Sequence, residues 1–292
     1  MMRRRGIKVD PAKRIEPSYG FFEHRGGNTF KSQLTSTQCG LIVVVLGTAG
    51  SGKSMLVGSL SRWLSRNGLA NKVINLDPGA EGLPYTPDCD LREIVSVREI
   101  MRTEGLGPNG AMIRAAFLML EKISWLKEGI RKSSDSSSDV ILVDTPGQME
   151  LFVFQPSGPA ILSELSSLSR AVGVFLLDPQ LTSTPANLAA ALAQAVITRV
   201  RLDVPLVIAV SKSDLKLRDD LDRLIAQPSY LRERISVEEF GSSKGIALSL
   251  TDLIEEMPWV QQIVKVSSVT GEGLSQLYSL VHEVFCSCGD LT

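Results

Sequence analysis

Six short runs dominated by Val, Ile and Leu constrain this chain more than any other feature. They lie at residues 41–46, 72–77, 139–144, 171–178, 205–211 and 262–267. Val140-Ile141-Leu142-Val143 and Leu206-Val207-Ile208-Ala209-Val210 are typical. A strand with one wet face alternates polar and apolar residues. These do not, so each is expected to be covered on both faces. Segments with helical spacing separate them, at 53–66, 185–200, 218–226, 244–257 and 273–285. Strand and helix in alternation predict an α/β fold of three layers, with a mostly parallel sheet between two layers of helices.

The first run leads directly into Gly47-Thr48-Ala49-Gly50-Ser51-Gly52-Lys53-Ser54, a complete G-x-x-x-x-G-K-S sequence. Strand, glycine loop and helix in that order make a phosphate loop. Glycines let the backbone turn tightly, so N–H groups around Gly50, Ser51 and Gly52 aim at phosphate oxygens. The new helix adds its positive dipole end. Lys53 is expected on the β- and γ-phosphates and Ser54 on Mg²⁺. The fold expected is therefore that of a P-loop nucleoside triphosphatase.

The third run ends in Asp144, followed by Thr145-Pro146-Gly147-Gln148. A strand-end Asp beside a phosphate loop is placed to hold Mg²⁺ through water. Gly147 lets the backbone approach the γ-phosphate and sense it. Two readings of Gln148 stay open: it orients the attacking water, or it is a solvated side chain. Asp77, in Asn75-Leu76-Asp77-Pro78-Gly79, is expected to emerge at the same sheet edge. It would hold Mg²⁺ through water, orient the nucleophile, or simply shape an Asp-Pro-Gly turn.

Ser211-Lys212-Ser213-Asp214 closes the fifth run and resembles the base-reading [N/T/S]-K-x-D element of GTPases, with Ser211 where Asn is usual. Guanine presents N1–H and N2–H₂ as donors along one edge, and a carboxylate accepts both. Adenine has an acceptor at N1 and would meet Asp214 lone pair to lone pair. Lys212 would lay its stem over the purine. Ser267-Ser268-Val269-Thr270-Gly271 follows the last run and resembles the element whose N–H groups meet guanine O6.

One crossover is oversized. About sixty residues separate the second and third runs, against the dozen or so a crossover needs. Leu91–Glu104 and Ala111–Arg131 have helical spacing there. Gly105-Leu106-Gly107-Pro108-Asn109-Gly110 between them reads as a non-helical tip. The crossover is therefore expected to be a helical insertion, at about 90–132, in one domain spanning 41–292.

Residues 1–40 are unlike the rest. Arg3, Arg4, Arg5, Lys8, Lys13, Arg14, Arg25 and Lys31 face only Asp10, Glu16 and Glu23. This segment reads as a flexible extension or as a basic arm for nucleic acid or an acidic partner. The chain as a whole has a formal net charge of −1, which gives no general pull toward nucleic acid or membrane. No apolar stretch approaches the ~20 residues needed to cross a bilayer. Cys39, Cys89, Cys286 and Cys288 are too few and scattered for a disulfide framework, so a reducing, cytoplasmic setting is expected.

Taken together, these elements resemble the GPN-loop GTPases. The resemblance rests on Gly107-Pro108-Asn109, on Pro84-Tyr85-Thr86-Pro87-Asp88-Cys89-Asp90-Leu91-Arg92 and on Asp144–Phe152, and it covers about residues 41–285. It implies GTP hydrolysis with Mg²⁺ by a homodimer. In such a dimer the Gly107-Pro108-Asn109 loop reaches the phosphates bound by the other subunit, where Asn109 acts in trans. No catalytic arginine can be singled out, and a neutral Asn implies a slow enzyme. Eukaryotic relatives are associated with RNA polymerase assembly and nuclear import, which implies a protein client. Thr48 stands where many ATPases of the wider class carry a second lysine. Gly79 stands where Ala is more usual in the family. Two other readings use the same phosphate loop. One is a small-molecule or polynucleotide kinase, with the insertion and Arg92, Arg98, Arg102 and Arg114 as its lid. The other is a nucleotide-binding scaffold without turnover.

Overall fold

The computed structural model describes residues 40–133, 139–238 and 243–287. The basic N-terminal segment up to residue 39, residues 134–138, Cys39 and Cys288 lie outside them. Among the described residues seven strands form one sheet: β1 (Leu41–Gly47), β2 (Asn71–Asn75), β3 (Cys89–Asp90), β4 (Val140–Asp144), β5 (Ala171–Leu177), β6 (Leu206–Val210) and β7 (Ile263–Lys265). The order is β3-β2-β4-β1-β5-β6-β7, and every pairing is parallel.

The runs that form β1, β4, β5 and β6 are buried at every position, whereas the edge strand β7 is only partly covered and its Lys265 is exposed, because an edge has a neighbour on one side alone. Ile42, Val44 and Leu46 of β1 point into one hydrophobic cluster and Leu41, Val43 and Val45 into the other. This is the period-2 alternation of a strand, met here by apolar residues at every position. The smaller cluster is closed by two helices. One is α1 (Lys53–Arg66), through Leu56, Val57, Leu60 and Leu64; the other is the last helix, through Leu274, Leu277, Tyr278 and Val281. The larger cluster lies under the remaining helices.

The insertion differs from the sequence expectation. Leu91–Glu93 forms only a 3₁₀ turn after β3, a two-residue edge strand that periodicity cannot reveal. Helix α2 begins at Val97, where Ser96 accepts the Glu99 N–H at 3.2 Å, and stops at Gly105 in the left-handed region. Helix α3 spans Pro108–Glu121, so Pro108, Asn109 and Gly110 are its first turn, not a non-helical tip. The physical reason is that a first-turn N–H has no intrahelical acceptor, so proline loses nothing there and its fixed φ suits the helix. A break at Lys122 separates α3 from α4 (Ile123–Ser133), where one helix was expected. Ala111, Ala115, Met119 and Leu126 are buried in the larger cluster, which makes the insertion part of a helical layer.

Two short helices, α5 (Met149–Val153) and α6 (Ser157–Ser166), connect β4 to β5 and were not anticipated. The later helices are α7 (Pro185–Leu202), α8 (Leu221–Ala226), α9 (Pro228–Val237), α10 (Lys244–Glu255) and α11 (Leu274–Ser287). Of these only α9 lacked a sequence signal. Among the described residues no helix is long and apolar enough to cross a membrane.

The topology fixes where a ligand can sit. β1 pairs with β4 on one side and β5 on the other, so the crossovers diverge at the carboxyl end of β1. That is the switch point at which open α/β sheets bind ligands. Register brings the ends together there: Val45 and Asn75 both pair with Asp144, and Gly47 pairs with Leu176.

Candidate nucleotide site at the carboxyl edge of the sheet

The loop from β1 to α1 turns on Gly50 (φ 78°) and Gly52 (φ 96°), both in the left-handed region that side chains avoid. Gly52 is the N-cap of α1 and offers no side-chain acceptor, so the first-turn N–H groups stay available to an anion. Lys53 folds back beneath the loop, 5% exposed. Its Nζ donates to the carbonyls of Gly47 (2.9 Å), Thr48 (3.0 Å) and Gly147 (3.0 Å). Burial pulls its pKa down, and the charges of Asp144, Asp77 and Glu150 oppose that. Three neutral carbonyls hold a buried cation here, an arrangement that favours an incoming polyanion.

Asp144 is fully buried at the end of β4. Its Oδ2 accepts the Tyr85 hydroxyl at 2.6 Å, while Oδ1 has no partner. Burial pushes the carboxyl above the usual carboxylate range; hydrogen bonds from Tyr85 and Ser54 partly offset this, and Asp77 adds to it. Ser51 Oγ is likewise buried and unpartnered. Native folds rarely leave such atoms unmatched without a ligand to meet them. With the Ser54 hydroxyl beside it, Asp144 fits a hydrated Mg²⁺. Among the described residues no three His, Cys, Asp or Glu cluster as a metal cage. Any Mg²⁺ here would take most of its ligands from water and phosphates, as that ion prefers.

The raised pKa of Asp144 has a consequence for stability. The folded state holds this proton more tightly than the unfolded chain does. The contribution of Asp144 is therefore fully present below the ordinary carboxylate pKa and is lost as pH rises through the raised value. Asp144→Asn is expected to raise the melting temperature of the nucleotide-free protein at pH 7 by about 2–4 °C, or ~1 kcal/mol. The gain should shrink as the pH falls toward 4 in a series of thermal melts. A variant less stable than the native chain at pH 7 would contradict this.

Asp77 lies beyond the end of β2, which stops at Asn75 and not at 77 as expected. The Asn75 side chain accepts the Asp77 N–H at 3.0 Å and turns the chain out of the sheet. Asp77 Oδ2 then accepts the Gly147 N–H at 2.9 Å, and Oδ1 accepts the Gly79 N–H at 2.9 Å. The backbone expected to meet a γ-phosphate is thus held by a carboxylate. Met112 of α3 touches this loop: a Cβ built on Gly79 would lie 3.0 Å from its Sδ. Gln148 is exposed at the start of α5, with no side-chain capping bond.

At the base end, Lys212 adopts φ 54° and its Nζ donates to Asp178 Oδ2 at 2.6 Å. Ser211, where Asn is usual, bonds to the Leu177 carbonyl through both N–H (2.9 Å) and hydroxyl (3.2 Å). Asp214 Oδ1 accepts the Ser267 hydroxyl at 2.6 Å. The same hydroxyl oxygen accepts the N–H groups of Val269 (3.2 Å) and Thr270 (3.1 Å), so one serine ties the two base-end loops together. A cavity of about 280 Å³ runs between Ser51, Gly52 and Met55 on one side and Lys212, Asp214 and Ser268 on the other.

The structure therefore brings Lys53, Ser54, Asp77, Asp144 and Gly147 together, and Lys212, Asp214, Ser267 and Ser268 beside them. Gly107, Pro108 and Asn109 are exposed, and none of the hydrogen bonds that join Lys53, Asp77, Asp144 and Gly147 comes from them. Sequence reasoning missed two members. Asp178 follows directly on β5, much as Asp144 ends β4, a signal that was present. Tyr85 sits in an irregular segment, where nothing local points to Asp144.

A glycine loop opening a helix at the switch point, with a buried strand-end Asp beside it, defines a P-loop nucleotide-binding protein. A family model described as a conserved hypothetical ATP binding protein matches residues 45–287. The chain is 34% identical over 257 residues to a GPN-loop GTPase of Pyrococcus abyssi, spanning 86% of this chain and 100% of that one. It is 31% identical over 258 residues to GPN-loop GTPase 2 of Danio rerio, spanning 85% of this chain and 82% of that one. It is 30% identical over 239 residues to GPN-loop GTPase 1 of Dictyostelium discoideum, covering 82% of this chain but 60% of that longer protein. The crystal structure of the Pyrococcus abyssi GTPase in apo form superposes with a TM-score of 0.73 and 32% identity, covering 85% of this chain and 98% of that one. The chain belongs to the GPN-loop GTPase family.

Proposed function

We propose that this chain binds GTP with Mg²⁺, hydrolyses it slowly to GDP and phosphate, and works in the cytoplasm as a homodimeric switch or assembly factor for protein partners. The observation that carries this reading is Asp214, held by Ser267 at the wall of the cavity that begins at the phosphate loop. Guanine alone among the common bases offers two adjacent donors to such a carboxylate.

In this reading Lys53 exchanges its loop carbonyls for the β- and γ-phosphate oxygens. Gly147 is held by both of its backbone groups: Lys53 donates to its carbonyl and Asp77 accepts its N–H. A γ-phosphate competes with the Gly147 carbonyl for Lys53 and with Asp77 for the Gly147 N–H, which makes the 145–148 segment the switch element. Mg²⁺, held by Ser54, Asp144 and Asp77, would supply neutralisation of the phosphate charge. Gln148 and the released Asp77 carboxylate are assigned to hold the attacking water. Its oxygen bonds to the γ-phosphorus as the bond to the β–γ bridging oxygen breaks, the electron pair leaves with GDP, and the water's proton passes to the released phosphate.

Asn109 completes this site from a second copy of the chain. Its exposure supports that reading, as do the exposed Ile113 and Phe117 on the same helix, which suit an interface between copies.

The test is phosphate release from GTP and from ATP without any acceptor, with molar mass measured in the GDP- and GTP-bound states. Release from GTP alone, and a two-chain mass with GTP, are expected. Equal turnover of ATP, or one chain in every state, would sink the proposal. Mixing Asn109→Ala with Lys53→Ala tests action in trans. The only site able to bind GTP in the mixed dimer should keep its Asn109 from the Lys53→Ala subunit and remain active.

A further inference from the structure

Asp144 carries a hydrogen bond that the hydrolysis scheme does not use. Tyr85 Oη donates to Oδ2 at 2.6 Å, across 59 residues of chain, while Oδ1 is left without a partner. Tyr85 belongs to an irregular segment between β2 and β3, yet that segment is fixed at several points. Arg62 of α1 donates to the Pro84 carbonyl at 3.2 Å. A Cβ at Gly58 would lie 3.0 Å from the same carbonyl, so a residue without a side chain lets the segment lie this close to α1. At its far end Asp88 N–H donates to the Val73 carbonyl at 2.7 Å, and the Asp88 carboxylate accepts the Val73 N–H at 2.8 Å. The Tyr85 ring packs against the smaller hydrophobic cluster. The hydroxyl thus reaches Asp144 from a segment clamped onto α1, the helix that also presents Lys53 and Ser54.

We propose that Tyr85 is a positioning residue for Mg²⁺-linked nucleotide binding: its hydroxyl fixes the Asp144 carboxylate through Oδ2 and leaves Oδ1 for the hydrated cation. The proposal rests on the Mg²⁺-GTP reading above. Two features make a phenol suitable. It donates one hydrogen bond and carries no charge, so it orients the carboxylate without neutralising it as a lysine or arginine would. Its ring packs against the smaller hydrophobic cluster, which keeps the hydroxyl aimed at Oδ2. Without the hydroxyl the carboxylate would keep only its link to Ser54, and Oδ2 would no longer be fixed from the other side.

The experiment compares native chain and Tyr85→Phe, which keeps the ring and its packing. Affinity for a fluorescent GTP analogue is titrated in saturating Mg²⁺ and again in EDTA. The native chain is expected to bind more tightly with Mg²⁺. Tyr85→Phe should lose about tenfold of that tightening, the worth of one hydrogen bond to a charged group, while its affinity in EDTA stays near native. Native tightening matched by equal tightening in Tyr85→Phe overturns this proposal alone, and so does an equal loss in both media, which is what a packing role would give. No tightening in the native chain itself overturns the Mg²⁺ reading and this proposal with it.

Discussion

Asp214→Asn is expected to abolish the preference for GTP and to create one for xanthosine triphosphate. The reason lies in which groups face each other. The carboxylate offers only acceptors, and guanine meets it with N1–H and N2–H₂. An amide puts a donor at one of those positions, against a donor on guanine but against the C2 carbonyl of xanthine. A site built to satisfy buried donors rejects a mismatched base by roughly 10⁴, so a loss of guanine selectivity of that order is expected. The exchange should leave the local frame intact, because Ser267 can donate to an amide oxygen as it does to Asp214 Oδ1. Competition among GTP, XTP and ATP for one fluorescent nucleotide reads the change. Guanine selectivity surviving unaltered would show that the base lies elsewhere.

Lys53→Ala is expected to weaken GTP binding about 10³-fold, equivalent to ~4 kcal/mol. Lys53 is buried and its Nζ is already gathered among Gly47, Thr48 and Gly147 carbonyls, with the charges of Asp144 and Asp77 nearby. A triphosphate is the one partner in the proposed cycle with enough negative charge to replace them. Two or more charge-assisted hydrogen bonds of ~1.5–3 kcal/mol each account for the size of the loss. The loss should be larger for GTP than for GMP, which lacks the phosphates Lys53 would reach. Calorimetric titration of both nucleotides measures it, and equal losses for the two would place Lys53 off the terminal phosphates.

The strands were legible because a parallel strand buried on both faces needs apolar residues at every position, and such runs are local. The phosphate loop was legible for the same kind of reason. Its glycines answer a backbone demand at their own positions, and the strand before and helix after them are contiguous in sequence. Asp144 could be read because it ends β4, and Asp214 because it follows closely on β6, both at the edge where β1 delivers the loop. Pro108-Asn109-Gly110 misled because a breaker sequence and the first turn of a helix use the same residues. Only the buried Ala111, Ala115 and Met119 on the following turns show which of the two occurs. β3 and α5 escaped because elements of two and five residues show no period.

By itself, then, the sequence determined a parallel α/β sheet, a phosphate loop after its first strand and an acidic residue, Asp214, just after the fifth apolar run. Each of these is written within a few consecutive residues. Only the tertiary structure decided what holds those groups. The Asp77 grip on Gly147 spans 70 residues, the Tyr85 bond to Asp144 spans 59 and the Lys212 bond to Asp178 spans 34. Hydrogen bonds over such separations depend on strand order and register, and neither is encoded in the spacing of residues along one segment.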